Sequence, residues 1–236
     1  MMTGRGRALI LFSRLPIGHE TKTRLSPLLN EEEREALHRA MWDDIFAAAL
    51  ALRDTDVFLY WTGSGRADKS AVSLIEDYRR LVPPSFFLRE QRGENLGERM
   101  GAAMQDVLEG GETSKAEYSR AVLMGTDVPD VQPRDIEGAF DALNEADVTL
   151  GPSMDGGYWL VGMRRFIPEV FDIAAWGGEG VLNATLQRVK DAGLRYAPSS
   201  TLLDVDTPED VNFFLSHADG RDSATRRCLS GILNRS

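Results

Sequence analysis

At 236 residues the chain has room for one large domain or two small ones, and it can bury enough apolar surface to fold without disulfides or a structural metal. A formal charge of −10 and a pI near 4.9 exclude broad binding to nucleic-acid backbones, although a local group of Lys and Arg can still hold a small anion. The single cysteine, Cys228, excludes an internal disulfide framework, no apolar run reaches the length of a membrane span, and the N-terminus lacks a secretory pattern. The expectation is a soluble, cytoplasmic protein with neither membrane nor nucleic acid as partner.

In chain order, Arg7 to Ser13 reads as the first strand, with Ala8 to Phe12 as its apolar core. A polar, basic loop runs on to Leu29. Asn30 then has the form of an N-cap, with Glu33 three residues on completing a capping box. The helix that follows, to about Arg53, places Leu37, Met41, Ile45 and Leu52 on one face, and its acidic first turn suits the macrodipole. Strands are expected at Asp56–Trp61 and Phe86–Leu88, a helix over Lys69–Leu81 stopped by Pro83 and Pro84, and another over Asn95–Leu108. Glu109–Ser119 reads as a surface loop. An unbroken apolar run, Ala121-Val122-Leu123-Met124, then leads into Gly125-Thr126-Asp127-Val128-Pro129, as in a strand buried on both faces.

Further on, Pro133 suits the first turn of a helix over Arg134–Asn144, and strands are expected at Asp147–Leu150 and Gly157–Met163. A helix over Gly178–Ala192 and an edge strand at Arg195–Ala197 follow. Thr207-Pro208 opens the last helix as N-cap and first-position Pro. Residues after His217 read as a polar tail. Alternating strands and helices imply a mostly parallel sheet with helices on both faces. The division expected is one domain over 1–218 and a C-terminal tail over 219–236, a candidate surface for a second copy of the chain in a homo-oligomer.

Four segments carry chemistry. The loop after the first strand holds Arg14, Lys22 and Arg24, with Gly18 among them. Cations and a small residue suit a phosphate, yet the spacing is neither that of a Walker loop nor that of a dinucleotide fingerprint. A solvated basic loop would look the same. Asp127 stands at the carboxyl end of its strand, where open α/β sheets hold ligands, although an Asp before Pro also caps turns. Asp155-Gly156-Gly157 fits either a hairpin turn or a backbone approached closely by a ligand. Asp204 and Asp206 fall on one side of an extended segment and repel unless a cation lies between them, a pattern that suits Mg²⁺ or Mn²⁺. Asp210 reads as a cap. Gly93, Asn95 and Gly97, before a helix, frame either a base and ribose or only a helix start.

As a set these residues resemble the nucleotide-diphospho-sugar transferase superfamily, whose glycosyltransferase-A fold is a single Rossmann-like domain. Closer still is the resemblance to the radical-SAM/selenodomain-associated transferase family, carried by Lys22 to Leu25, Gly93 to Arg99, Gly125 to Pro129, Gly151 to Tyr158 and Asp204 to Asp210. The resemblance implies Asp127 as first metal ligand, Asp204 and Asp206 as the second carboxylate position, and Arg14, Lys22 and Arg24 around the phosphates. It places Thr126 with the nucleotide, Gly93, Asn95 and Gly97 near the base, and Asp155, Gly156 and Gly157 near the acceptor or ribose. Lys22, Arg24 and Asp127 would be the catalytic residues.

The Lys-Thr-Arg-Leu loop and the paired aspartates also resemble phospholactate guanylyltransferases. The implied activity is metal-dependent transfer of a nucleotidyl group from a nucleoside triphosphate to a small phosphorylated acceptor. Two alternatives stand beside it: a glycosyltransferase using a nucleotide-diphospho-sugar, and a nucleotide-binding module without turnover.

Overall fold

The computed structural model describes residues 5–63, 76–110, 118–174, 176–178, 180–217 and 221–234. In chain order the elements are β1 (Arg5–Arg14), α1 (Glu31–Leu50), β2 (Thr55–Thr62), β3 (Phe87–Glu90), α2 (Leu96–Gln105) and β4 (Tyr118–Gly125). Then come α3 (Pro133–Ala142), β5 (Val148–Pro152), β6 (Tyr158–Met163), α4 (Val181–Asp191), β7 (Tyr196–Pro198), α5 (Pro208–Ser216) and α6 (Ala224–Leu233). Most of the expected helix over Lys69–Leu81 lies outside the described residues; its end is helical at 76–78 and closes as a 3₁₀ turn over Arg79–Leu81.

The sheet has seven strands in the order β3-β2-β1-β4-β6-β5-β7. All pairings are parallel except those of β6, which runs antiparallel to β4 and β5. The mostly parallel, helix-flanked sheet expected from the sequence is thus the fold. Apolar runs without alternation have a direct cause: successive side chains point to opposite faces, and both faces are covered. On one face Leu9, Leu11, Val122 and Met124 pack with Trp42, Ile45 and Phe46 of α1 and with Ile136 and Phe140 of α3. On the other Ala8, Ile10, Ala121 and Leu123 pack with Met100 and Met104 of α2 and Val189 of α4.

The helix caps follow the sequence reading. Asn30 Oδ1 accepts from Glu33 N and the Glu33 carboxylate from Asn30 N; Thr207 and Asp210 exchange the same pair of bonds at α5.

The stretch expected to be a polar tail instead forms α6, which packs on the outer side of α1. Asp44 of α1 accepts from the N–H groups of Ala224 and Thr225 at 2.8 and 2.9 Å, satisfying donors that a helix start leaves unpaired. Leu229 enters a third core with Leu37 and Met41 of α1, Val211 and Phe214 of α5, and Leu25, Leu29 and Val205. Helix α1 is therefore buried on two sides rather than on the one face read from its periodicity.

Candidate active site

The chain leaves β1 for β2 on one side, then returns through α2 to place β4 on the other. Loops leaving the carboxyl ends of β1 and β4 therefore diverge, and the crevice between them is where such sheets take ligands. A cleft of about 1030 Å³ opens there. It is lined by Arg14, Lys22, Arg24, Asn95, Thr126, Asp127, Asp155, Asp204 and Asp206 of the residues singled out in the sequence. Gly93, Gly97, Gly156 and Gly157 are not among the residues that line it.

Lys22 and Asp127 form the floor. Lys22 Nζ donates to Asp127 Oδ1 at 2.7 Å and to the carbonyl of Val205, also at 2.7 Å, and stands 4.0 Å from Asp206 Oδ1. Val205 N in turn donates to the carbonyl of Asp127 at 2.8 Å. The ammonium thus joins three chain segments: the basic loop, the exit of β4 and the Asp204–Asp206 segment. Its side chain is 2% exposed, whereas that of Asp127 is 47% exposed toward the cleft. Lys22 adopts a left-handed backbone, φ 49°, which for a residue other than Gly costs about 1–3 kcal/mol and persists only where the surroundings enforce it. Burial pushes the Asp127 carboxyl upward, but the Lys22 ammonium, through its charge and its hydrogen bond, and the Arg14 charge outweigh it and hold the group below its ordinary value.

Asp206 is committed to cations of the protein, accepting from Arg24 Nη1 at 3.2 Å beside the more distant Lys22. The two aspartates, expected to repel each other, instead answer to different neighbours: Asp206 to Arg24 and Lys22, Asp204 to Asp127 and Asp155. Asp204 is different. Burial, then the nearby charges of Asp127 and Asp155, push its carboxyl up to about 7. Asp155 accepts from Ser153 Oγ and from Gly157 N at 3.0 Å. Among the described residues no three His, Cys, Asp or Glu side chains gather closely enough to hold a metal by themselves. Mg²⁺ commonly takes only one or two carboxylates and completes its shell with phosphate oxygens and water. The push that burial, Asp127 and Asp155 exert on Asp204 is the kind of charge excess such an ion relieves, so the donor chemistry fits a cation that arrives with phosphate.

The remaining singled-out residues serve the walls. Arg14 is exposed and spends one donor on the carbonyl of Glu20. Asn95 caps α2, accepting from Glu98 N at 3.0 Å and donating to Glu98 Oε1 at 2.7 Å. Gly97 is packed under Trp176: a Cβ there would meet the indole Nε1 at 2.4 Å and the carbonyl of Phe171 at 2.9 Å. Gly93, at φ 135°, turns the chain into α2 and its carbonyl accepts from Arg99 Nε. Gly156, at φ 86°, makes the tight turn between β5 and β6 and accepts from Leu182 N. Gly18 is not open to a phosphate; a Cβ there would lie 2.4 Å from the carbonyl of Glu31, so its smallness lets α1 approach.

Sequence reasoning passed over several residues. Gln91 Nε2 donates to the carbonyls of Ser13 and Tyr60, both at 3.0 Å, tying together the ends of β1 and β2. Arg34, a buried cation in the first turns of α1, donates to the carbonyls of Gly18 and Leu29, so the basic loop is pinned rather than solvated. His38, nearly fully buried, lines the floor of the cleft, with Nδ1 on Thr21 Oγ1 and Nε2 3.4 Å from Ser13 Oγ. Burial holds its pKa down to about 4, with Lys22 and Arg14 adding to the effect and Asp127 opposing it, so the imidazole is neutral at pH 7. A signal was present: Arg34, His38 and Trp42 recur every four residues on the same helix as the apolar Leu37, Met41 and Ile45.

Known proteins resemble this chain over nearly its whole length. Two 2-phospho-L-lactate guanylyltransferases, from Methanobrevibacter smithii and Methanothermobacter thermautotrophicus, are 25% and 26% identical, covering 90% and 87% of this chain and 85% and 84% of theirs. A crystal structure of a proposed nucleotide-diphospho-sugar transferase from Desulfovibrio desulfuricans is 30% identical, with a TM-score of 0.84 and 97% of each chain covered. A profile described as guanylyl transferase CofC like matches residues 7–63, which span β1, the basic loop, α1 and β2. The profile described as uncharacterized protein conserved in bacteria (DUF2064) matches residues 45–178, more than half of the chain. With that match, and with the Desulfovibrio structure superposing throughout, the chain belongs to the DUF2064 family, on a nucleotide-diphospho-sugar transferase fold.

Proposed function

We propose that this protein is a nucleotidyltransferase that moves a nucleoside monophosphate unit from a nucleoside triphosphate onto a small phosphorylated acceptor. The observation that carries the reading is the Lys22–Asp127 pair at the switch point between β1 and β4, in a cleft that Arg14, Arg24 and Asp204 also line. The likeness to two 2-phospho-L-lactate guanylyltransferases supports GTP as donor and a phosphorylated hydroxy acid as acceptor.

In the reaction an acceptor phosphate oxygen bonds to the α-phosphorus while the bond from that phosphorus to the bridging β-oxygen breaks and pyrophosphate leaves. No protein nucleophile is needed. Arg14 and Arg24, with exposed guanidiniums at the rim, offset the charge growing on the phosphates, and donors fixed before the substrate arrives are worth most. Lys22 holds Asp127 in place and neutralises part of the carboxylate charge that would otherwise repel a triphosphate. Asp127 and Asp204 would hold a Mg²⁺ or Mn²⁺ ion that arrives with the nucleotide. Such an ion supplies Lewis-acid stabilisation of the phosphoryl oxygens. The helix start at Asn95 and the side chain of Arg99 line the part of the cleft suited to the base.

A second reading, glycosyl transfer from a nucleotide-diphospho-sugar, is favoured by the description of the Desulfovibrio relative. The products separate them. Purified protein is incubated with each nucleoside triphosphate and 2-phospho-L-lactate or related phosphorylated acids, and with sugar nucleotides. Pyrophosphate released only when triphosphate and acceptor are both present supports nucleotidyl transfer; free nucleoside diphosphate from a sugar nucleotide supports the second reading.

A further inference from the structure

At the floor of the cleft, which they help to line, four polar side chains of low exposure form one continuous set. Thr21 Oγ1 meets His38 Nδ1 at 2.5 Å, His38 Nε2 faces Ser13 Oγ at 3.4 Å, and Ser13 Oγ lies 2.6 Å from Thr126 Oγ1. Trp42 Nε1, a donor only, points at Ser13 Oγ from 2.9 Å and stacks edge-on against the His38 ring. Each hydroxyl residue is the chain neighbour of a charged residue of the cleft: Ser13 precedes Arg14, Thr21 precedes Lys22 and Thr126 precedes Asp127. Three separate segments are thereby tied to one imidazole on α1.

We propose that His38 is a positioning residue, holding Lys22 and Asp127 at ion-pair distance before any nucleotide binds. Two features argue for this over a satisfied core histidine. Lys22 sits in a strained left-handed conformation that needs an external anchor, and the residue before it is fastened to His38. The buried hydroxyls are also shielded from water, so their bonds are costly to leave unmade and fix the geometry of the groups that bear them. The inference rests on the nucleotidyl-transfer reading for its consequence, but its structural claim can be read without it.

The test uses His38→Leu, which keeps the bulk and removes both bonds, and His38→Asn, whose amide falls near the position of Nδ1 and can keep the bond to Thr21. Amide exchange by NMR reports the geometry, because Leu25 N donates to the carbonyl of Lys22 and Val205 N to that of Asp127. His38→Leu should speed exchange at Leu25 and Val205 by about tenfold or more while the amides of Ile10 and Val122 hold, the pattern of a local opening. His38→Asn should restore most of the protection at Leu25. In the pyrophosphate assay His38→Leu should lower turnover by about tenfold or more, the scale of a misplaced catalytic group, and His38→Asn should recover part of it. Exchange that rises everywhere together, or nowhere, would overturn the proposal, as would turnover within twofold of the parent. If the parent releases no pyrophosphate from any triphosphate, the functional reading fails, while the exchange result still decides whether His38 positions the pair.

Discussion

Replacing Lys22 by Met removes the ammonium and keeps an unbranched stem of similar reach. Two partners lose a bond. The carbonyl of Val205, a residue with no exposure, becomes an unsatisfied buried acceptor at a cost of about 1–3 kcal/mol. Asp127, being 47% exposed, rehydrates, so its loss is far below the several kcal/mol of a fully buried pair. Returning the ammonium to water on unfolding no longer favours the unfolded chain, which offsets part of the cost. The net expectation is about 1–2 kcal/mol of destabilisation, or a Tm lower by about 2–8 °C for a domain of this size. Turnover should fall much further, by about 10²–10³-fold, as for loss of one preorganised charge donor. Thermal unfolding by circular dichroism and the pyrophosphate assay read the two effects side by side. A variant with turnover within threefold of the parent would refute the role given to Lys22. So would one that loses more than about 4 kcal/mol, since that exceeds what an unsatisfied carbonyl explains and would make Lys22 a structural residue.

His38 gives a pH dependence of known sign. Its folded pKa of about 4 lies below the unfolded value of 6.5, so between these pH values the unfolded chain takes up a proton that the folded chain refuses. Stability from this group is complete above pH 6.5 and is lost as pH falls toward 4, by roughly 3 kcal/mol in all. The difference in urea-unfolding free energy between parent and His38→Gln should therefore shrink by that amount over the same interval; a constant difference would contradict it. Gly97→Ala should destabilise by about 1–3 kcal/mol through collision with Trp176, lowering the denaturation midpoint even without nucleotide. An unchanged midpoint would mean that the glycine is not needed for packing. Leu229→Ala should cost about 2–5 kcal/mol, because α6 completes the core on the outer side of α1, whereas a solvated tail would lose nothing.

The fold was legible where one physical rule dominated. Strand β4 shows as an unbroken apolar run because both its faces are covered; α1 announces itself through its capping box and α5 through an N-cap Thr and first-position Pro, all of which the structure contains. Helix α6 was hidden because its buried residues are few and two of them, Thr225 and Arg226, are polar; Arg226 is buried by pairing with both Asp130 oxygens and lying over the Phe214 ring. The cleft could be read as a set of charges, since Arg14, Lys22, Asp127, Asp204 and Asp206 meet from segments far apart in the chain. Which charge neutralises which could not. That depends on Val205 docking against the exit of β4, a contact between residues 78 positions apart with no trace in local pattern. The glycines misled for a related reason: a small residue near a site can make room for a ligand or for the chain itself, and at Gly18 and Gly97 the chain takes the space.

Asp127 is the residue on which the chemistry turns, and its substitution by Asn preserves size and an acceptor for Lys22 while removing the charge. The most direct measurement is pyrophosphate release from a nucleoside triphosphate and a phosphorylated acid in the presence of Mg²⁺, for the parent and for Asp127→Asn. Expected are release by the parent that requires both substrates, and a loss of about 10²–10³-fold in a variant that remains folded. Equal rates in the two proteins, or a parent that releases nucleoside diphosphate from sugar nucleotides and no pyrophosphate from any triphosphate, would contradict that expectation.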